Sequence, residues 1–236
     1  ILAASGRPYD LPVTILAQWA YNFRPPSFNE LYYLNFGTAD LKPERSHSFN
    51  AGVRWKVTKQ LDVNVHTFLI HTADKIVALP VSPATWSART VGAVKNYGME
   101  VTASGSLLSD LIRFNGAGTL QQSINHSGNP ATEGKDIAYV PRLLLSGLVS
   151  VHVESMETGA QILYTGERYS LDGNSADALL PGFTTVGVFA GVSFGIGPLH
   201  VDTRLFCENI LNEQYSVIRN YPMPGRSFRG KVEVRY

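Results

Sequence analysis

Hydrophobic and polar positions alternate along most of the chain. In Arg226–Tyr236 the residues Phe228, Gly230, Val232, Val234 and Tyr236 share one face, and Ser227, Arg229, Lys231, Glu233 and Arg235 share the other. A two-residue period predicts a strand. The same period recurs in about ten segments: Val13–Asn22, Ser46–Val57, Leu61–Leu79, Val94–Leu107, Leu111–Ser123, Val140–Val153, Ala160–Tyr169, Phe183–Phe194, Leu199–Glu208 and Arg226–Tyr236. Ile1–Ser5 reads as the tail of an earlier strand. Short turns are expected at Asp10–Pro12, Thr58-Lys59-Gln60, Leu108-Ser109-Asp110, Ser155–Gly159 and Gly195–Pro198. Long connections are expected at Phe23–Glu44, Pro80–Thr90 (with Pro83 and Trp86), Ile124–Ile137, Ser170–Pro181 and Asn209–Gly225. In the first of these, Pro25-Pro26 ends the strand by removing ladder donors. Ser27-Phe28-Asn29-Glu30 has capping-box spacing, so a short helix through Leu34 is expected.

Alternation alone leaves two folds open. A soluble sandwich strand turns its apolar face inward. An outer-membrane strand turns it toward lipid and its charges toward a wet lumen. The connections discriminate, because they run long, short, long, short. That is the habit of an up-and-down membrane meander, whereas Greek-key crossings have no reason to keep it.

Composition points the same way. Apolar residues make up 44% and charged residues 17% of the 236 residues, the latter below the roughly 25% usual in soluble domains. A net charge of +1 gives no support for nucleic-acid binding. The single cysteine, Cys207, excludes an intramolecular disulfide and a cysteine-cluster metal site. No apolar run has the length of a membrane helix. The opening Ile-Leu-Ala-Ala-Ser-Gly has no signal-peptide character and reads as the interior of a longer chain.

Three motifs then carry a resemblance. The first is Phe23-Arg24-Pro25-Pro26, with Asn29-Glu30-Leu31-Tyr32 and Ala39-Asp40-Leu41-Lys42-Pro43-Glu44-Arg45-Ser46. The second is Asn96-Tyr97-Gly98-Met99-Glu100. The third is Glu208-Asn209-Ile210-Leu211-Asn212-Glu213-Gln214-Tyr215, with Tyr221-Pro222-Met223-Pro224-Gly225-Arg226. In order and spacing they resemble the C-terminal half of TonB-dependent outer-membrane receptors. The resemblance implies an all-β, antiparallel up-and-down transmembrane β-barrel of 22 strands. Residues 1–236 would supply about ten C-terminal strands of it, with the plug domain absent from this chain. It further implies uptake of a scarce nutrient such as an iron-siderophore, cobalamin or haem across a Gram-negative outer membrane. The implied partners are outer-membrane lipid, the small-molecule nutrient, and TonB acting through a plug outside this chain. The Phe23–Leu41 stretch also resembles the paired boxes of haem-uptake receptors, but it lacks their intervening histidine, and no cofactor is expected. The alternatives are a self-contained ten-stranded outer-membrane enzyme of the omptin protease type and a soluble β carbohydrate-binding module. The omptin reading needs rim acids such as Asp40, Glu44, Glu133 and Asp136 to meet His126.

Candidate ligand contacts in the long connections are Arg24, Tyr32, Tyr33 and Trp86, since aromatics offer flat stacking area and arginine offers bidentate anion contact. On the expected register Arg54, Glu100, Arg113, Arg142, Asp202, Arg204, Arg229, Lys231, Glu233 and Arg235 face the lumen. His66 and His71 are five apart and face opposite sides. His47, His126, His152 and His200 have no metal-ligand spacing. No catalytic set stands out, and no G-x-S-x-G elbow is present.

Overall fold

The computed structural model describes residues 1–8, 11–82 and 85–236. Asp10 of the expected first turn and Pro83 of the second long connection lie outside the described residues. Eleven strands form one antiparallel sheet: β1 Leu2–Gly6, β2 Val13–Arg24, β3 Glu44–Lys56, β4 Leu61–Ala73, β5 Val94–Leu107, β6 Ile112–Asn125, β7 Leu143–Val153, β8 Met156–Thr165, β9 Phe183–Ile196, β10 Leu199–Glu208 and β11 Ser227–Arg235. Each pairs with its sequence neighbours only, so the sheet is a meander. Strands β1 and β11 are its edges, and among the described residues they do not pair to close it. The expected tail at Ile1–Ser5 is thus a full member of the sheet.

Long and short connections alternate, and the five long ones share one end of the sheet. Several boundaries differ from expectation. Strand β4 stops at Ala73 because Asp74 takes a left-handed conformation (φ 53°), and a separate hairpin follows, Ile76–Ser82 with Thr85–Thr90. The expected Pro80–Thr90 loop is therefore largely strand. Glu154, also left-handed (φ 50°), makes a tight turn, so β8 begins at Met156 inside the expected Ser155–Gly159 turn. The helix α1 spans Phe28–Tyr32 and ends before Leu34.

The register separates the two faces. Every Asp and Glu within the eleven strands lies on one face: Glu44, Asp62, Glu100, Glu157, Asp202, Glu208 and Glu233. The expected inward charges Arg54, Glu100, Arg113, Asp202, Arg204, Arg229, Lys231, Glu233 and Arg235 share that face. They form ladders there. Arg54 Nε donates to Asn64 Oδ1 (3.1 Å), and Asn64 donates on to Thr102 (3.1 Å). Arg204 pairs with Glu157, and Arg229 with Glu208 at 3.0 Å. Glu233 lies between Lys231 (2.8 Å) and Arg235 (2.7 Å). Arg142 precedes β7, in a long connection, and is held there by Asp136.

The opposite face is apolar and uncovered. Phe228 is 78% and Val232 68% exposed. The small hydrophobic cluster of Val91, Val94 and Ile137 sits instead where the long connections meet the sheet.

With no core beneath them, large side chains lie over glycines directly across the ladder. Gly98 faces Phe68, Gly105 faces Phe114, Gly159 faces Phe189 and Gly52 faces His66. A Cβ at Gly98 would come 2.5 Å from the Leu120 carbonyl oxygen and 2.7 Å from the Phe68 ring, which accounts for glycine in the Asn96–Glu100 motif. At Gly52 the three nearest atoms all belong to the His66 ring, with its Cε1 at 2.8 Å. Gly52→Ala is therefore expected to cost about 1–3 kcal/mol, and His66→Ala in the same chain should relieve most of it. Thermal unfolding of the four-member mutant cycle measures this; additive losses would show that the ring does not fill that space.

Candidate functional site

The long connections are tied to one another as well as to the sheet. At the start of the first, Ser27 and Glu30 close a capping box around α1: Ser27 N–H donates to Glu30 Oε2 (2.7 Å), and Glu30 N–H to Ser27 Oγ (3.3 Å). The same Glu30 carboxylate takes a bidentate contact from Arg24 at 3.0–3.1 Å. Arg24 also reaches the buried Glu44 at 2.7 Å, which further accepts from Ile76 N–H (2.8 Å) and Lys75 Nζ (3.3 Å). One carboxylate thereby joins the end of β2, the start of β3 and the second connection. The first connection docks on the hairpin of the second: Ala88 N–H donates to the Phe36 carbonyl (2.8 Å), and Thr38 Oγ1 to the Ala88 carbonyl (2.7 Å).

The third, fourth and fifth connections continue the chain of ties. Tyr139 N–H donates to the Tyr169 carbonyl (2.7 Å), and Asn174 brackets the backbone of Asp136 from both sides. Arg168, 3% exposed, donates to the carbonyls of Gly166, Pro181, Ser216 and Val217, and its guanidinium lies 5.3 Å from the Phe183 ring. Burial works against its charge, and carbonyl dipoles, rather than a carboxylate, compensate.

Between the second, third, fourth and fifth connections lies a cleft of about 410 Å³. Its wall includes Trp86, Tyr139, Leu171, Arg219 and Tyr221. The Trp86 and Tyr139 rings are 5.5 Å apart at 40°. Among the described residues Arg219 makes no ion pair, although its charge acts on the exposed Asp177, so the cleft offers three aromatic surfaces and a cation.

Of the ligand contacts expected from sequence, only Trp86 reaches this cleft. Arg24, expected as an anion contact, here holds Glu30 and Glu44. Tyr32 and Tyr33 stand outside the cleft, 61% and 63% exposed, Tyr33 being the C-cap of α1. Tyr139, Arg219 and Tyr221 were missed. No spacing in the sequence marks them; in the structure Tyr139 (φ 62°) and Asn220, at the tip between Arg219 and Tyr221 (φ 66°), are left-handed. Of the rim acids Glu133 meets His126 at 3.0 Å, but Glu44 is held by Arg24 and Lys75, and Asp136 by Arg142.

The family model for "TonB dependent receptor-like, beta-barrel" matches residues 10–210. The chain belongs to that family. Family members with curated names include the vitamin B12 transporter BtuB of Vibrio vulnificus (strain YJ016), 31% identical over 93 residues, 39% of this chain and 15% of that protein. The ferrioxamine B receptor of Salmonella typhimurium (strain SL1344) is 30% identical over 132 residues, 54% of this chain and 18% of that protein. These relatives are transporters and receptors rather than enzymes. Among solved structures of similar fold, the copper transporter OprC superposes with a TM-score of 0.79 at 16% identity, over 98% of this chain and 37% of that one. The unliganded ferric citrate transporter FecA gives 0.77 at 15% identity, over 99% and 37%. The chain thus spans less than a fifth of these curated relatives and over a third of the solved barrels. The expected fold class, a TonB-dependent receptor barrel of antiparallel strands, is observed, with the barrel open in this chain.

Two outcomes follow from the Glu44 and Glu30 contacts. Glu44→Ala leaves Arg24, Lys75 and the Ile76 amide without their shared acceptor. Loss of a hydrogen bond to a charged group costs about 1.5–3 kcal/mol, so exchange at Ile76 should accelerate about tenfold or more while mid-strand amides of β3 and β4 are unchanged. The second concerns pH. The hydrogen bond from Arg24 holds the Glu30 carboxyl below its usual 4.5. A carboxyl lowered in the folded state stabilises above its unfolded pKa, and that contribution is lost as pH falls through the folded value. The hold on α1 is therefore expected to be constant above pH 4.5 and to weaken below it, read from exchange at the Ser27 amide.

Proposed function

We propose that this chain forms the C-terminal part of the barrel of a TonB-dependent receptor. That receptor takes up a scarce small-molecule nutrient across a Gram-negative outer membrane. The observation that carries the reading is the sorting of side chains in an exposed sheet. All strand carboxylates lie on one face, and the other is an uncovered apolar surface. A sheet so built is suited to lipid on one side and a polar interior on the other. The polar face, with Arg54, Glu100, Arg204, Arg229, Lys231, Glu233 and Arg235, is the lumen wall in this reading. The rest of the receptor supplies the plug and the strands that pair with β1 and β11. The five long connections face outside the cell, and Arg142 stands at their base.

The cleft of Trp86, Tyr139, Tyr221 and Arg219 is the recognition surface in this reading. Aromatic faces stack on flat groups and a guanidinium grips anionic oxygens, so the ligand carries both, as a chelate or a cofactor-like nutrient does. Vitamin B12, ferrioxamine B and ferric citrate, named for relatives and structural neighbours, are the probes to try first. The full receptor, expressed in a strain lacking its own copy, should support uptake of one of these only when TonB is functional. Replacing Trp86 and Arg219 together by Ala should weaken binding of that probe by roughly tenfold or more. Equal uptake with and without TonB would defeat the transport reading; unchanged binding by the double variant would move recognition away from this cleft.

A further inference from the structure

The apolar face departs from its own rule in one place. Its ionisable groups, apart from tyrosine and cysteine, are Arg45, His47, His71 and Lys95, and all four lie on three adjacent strands, β3 to β5, at the end that leads into the long connections. His47 stands directly opposite His71, and His71 directly opposite Lys95. Arg45 is one same-face position further toward the connections, opposite Ala73. Opposed residues in an antiparallel pair have Cα atoms about 4.5–5.5 Å apart, so the three form a file about 10 Å long. All four side chains are exposed. Among the described residues none has a carboxylate at ion-pair distance. The polar face is the opposite case, with most of its cations held in pairs.

Aromatic groups fix the level of this file. The His47 ring stacks on Trp19 (6.0 Å, 21°) and lies against Tyr21 (5.0 Å, 50°), and Lys95 Nζ is 5.7 Å from the centre of the Tyr97 ring. Tryptophan and tyrosine on such a face mark the membrane–water boundary. Immediately on the sheet side of the file runs a cleft of about 620 Å³, lined by Leu2, Trp19, Phe49 and Leu69 along one row and by Ala17 and Ala51 along the next. Large residues beside small ones leave a trough of the kind that an alkyl chain fills.

We infer that Arg45, His47, His71 and Lys95 form a binding site for the phosphorylated headgroup of an outer-leaflet lipid, whose acyl chain lies in the Trp19–Phe49–Leu69 trough. The inference rests on the membrane orientation proposed above. A phosphate at this level meets donors from three strands with no carboxylate to oppose it. The position of the patch, above an apolar belt on the side that lipid covers, selects a lipid over a soluble anion.

The test uses the full-length receptor in nanodiscs of phosphatidylcholine doped with bis-phosphorylated lipid A, or with the same glycolipid after removal of its phosphates. Native mass spectrometry reads the bound glycolipid. The wild-type receptor should retain the phosphorylated form preferentially, and millimolar inorganic phosphate should not displace it. Arg45→Gln with Lys95→Gln should weaken retention by roughly tenfold or more, and Arg45→Lys with Lys95→Arg should preserve it. His47→Gln with His71→Gln, which leaves both fixed cations in place, should give an intermediate loss. Equal retention of the two glycolipids by wild type, or unchanged retention by the Arg45/Lys95 glutamine variant, overturns the proposal, as does displacement by inorganic phosphate. Insertion into nanodiscs and heat-modifiable gel mobility report the membrane reading separately. A receptor that inserts normally yet ignores the phosphates refutes the lipid site and leaves that reading standing.

Discussion

A sheet that turns an apolar face to an apolar medium must satisfy every polar group on that face from within itself. Water is not there to complete a missing hydrogen bond, and an unpaired hydroxyl or amide in hydrocarbon costs several kcal/mol. The ladder does this for the backbone, each strand pairing with the next. Away from the Arg45–Lys95 file, the side chains follow the same rule. Thr67, Thr158 and Thr203, all on the apolar face, donate to the carbonyls of Ala51, Phe189 and Val192 on neighbouring strands. The Tyr97 hydroxyl donates to Gln122 directly opposite, at 2.6 Å. Polar residues are tolerated on this surface where a partner stands across the ladder.

The same constraint explains how a sheet with so little buried hydrophobic surface keeps its register. A one-residue slip would move Glu100, Arg204 and Glu233 to the apolar face and turn Phe49, Val65 and Leu205 toward the charges. Opposed glycine–aromatic pairs add a steric key. Phe68, Phe114 and Phe189 each occupy the space that a side chain at Gly98, Gly105 or Gly159 would need. Packing here runs sideways across strands, whereas a soluble domain would place it between layers.

What the sequence reveals follows from which of these rules are local. Face alternation needs only one strand, so the polar and apolar sets were legible from Arg226–Tyr236 outward. The capping box of Ser27 and Glu30 was legible too. The helix length was not, because Tyr33 caps the helix in extended conformation. The hairpin after Asp74 was hidden by prolines that read as loop. The cleft was hidden for a deeper reason: Trp86, Tyr139, Leu171 and Arg219 come from four different connections, and no spacing along the chain links them. The His47–His71 pairing is of the same kind. They stand 24 positions apart in sequence, and only the register of β3 on β4 makes them neighbours.

The ties among the connections bear on what the cleft can do. A cleft made of long loops keeps one shape only if the loops hold one another. Here the Glu44 node fixes the first two, Tyr139 and Asn174 fix the third to the fourth, and Arg168 fixes the fourth to the fifth. Arg168 differs from the others in having only carbonyl partners. A carboxylate partner would make a tight but localised pair. Four backbone carbonyls from two connections instead distribute one charge over both main chains, so displacing either connection strands a buried cation. The shape of the cleft between Tyr139 and Tyr221 therefore depends on a residue that does not line it. Movement of the fifth connection, which carries Arg219, is coupled to movement of the fourth, which carries Leu171.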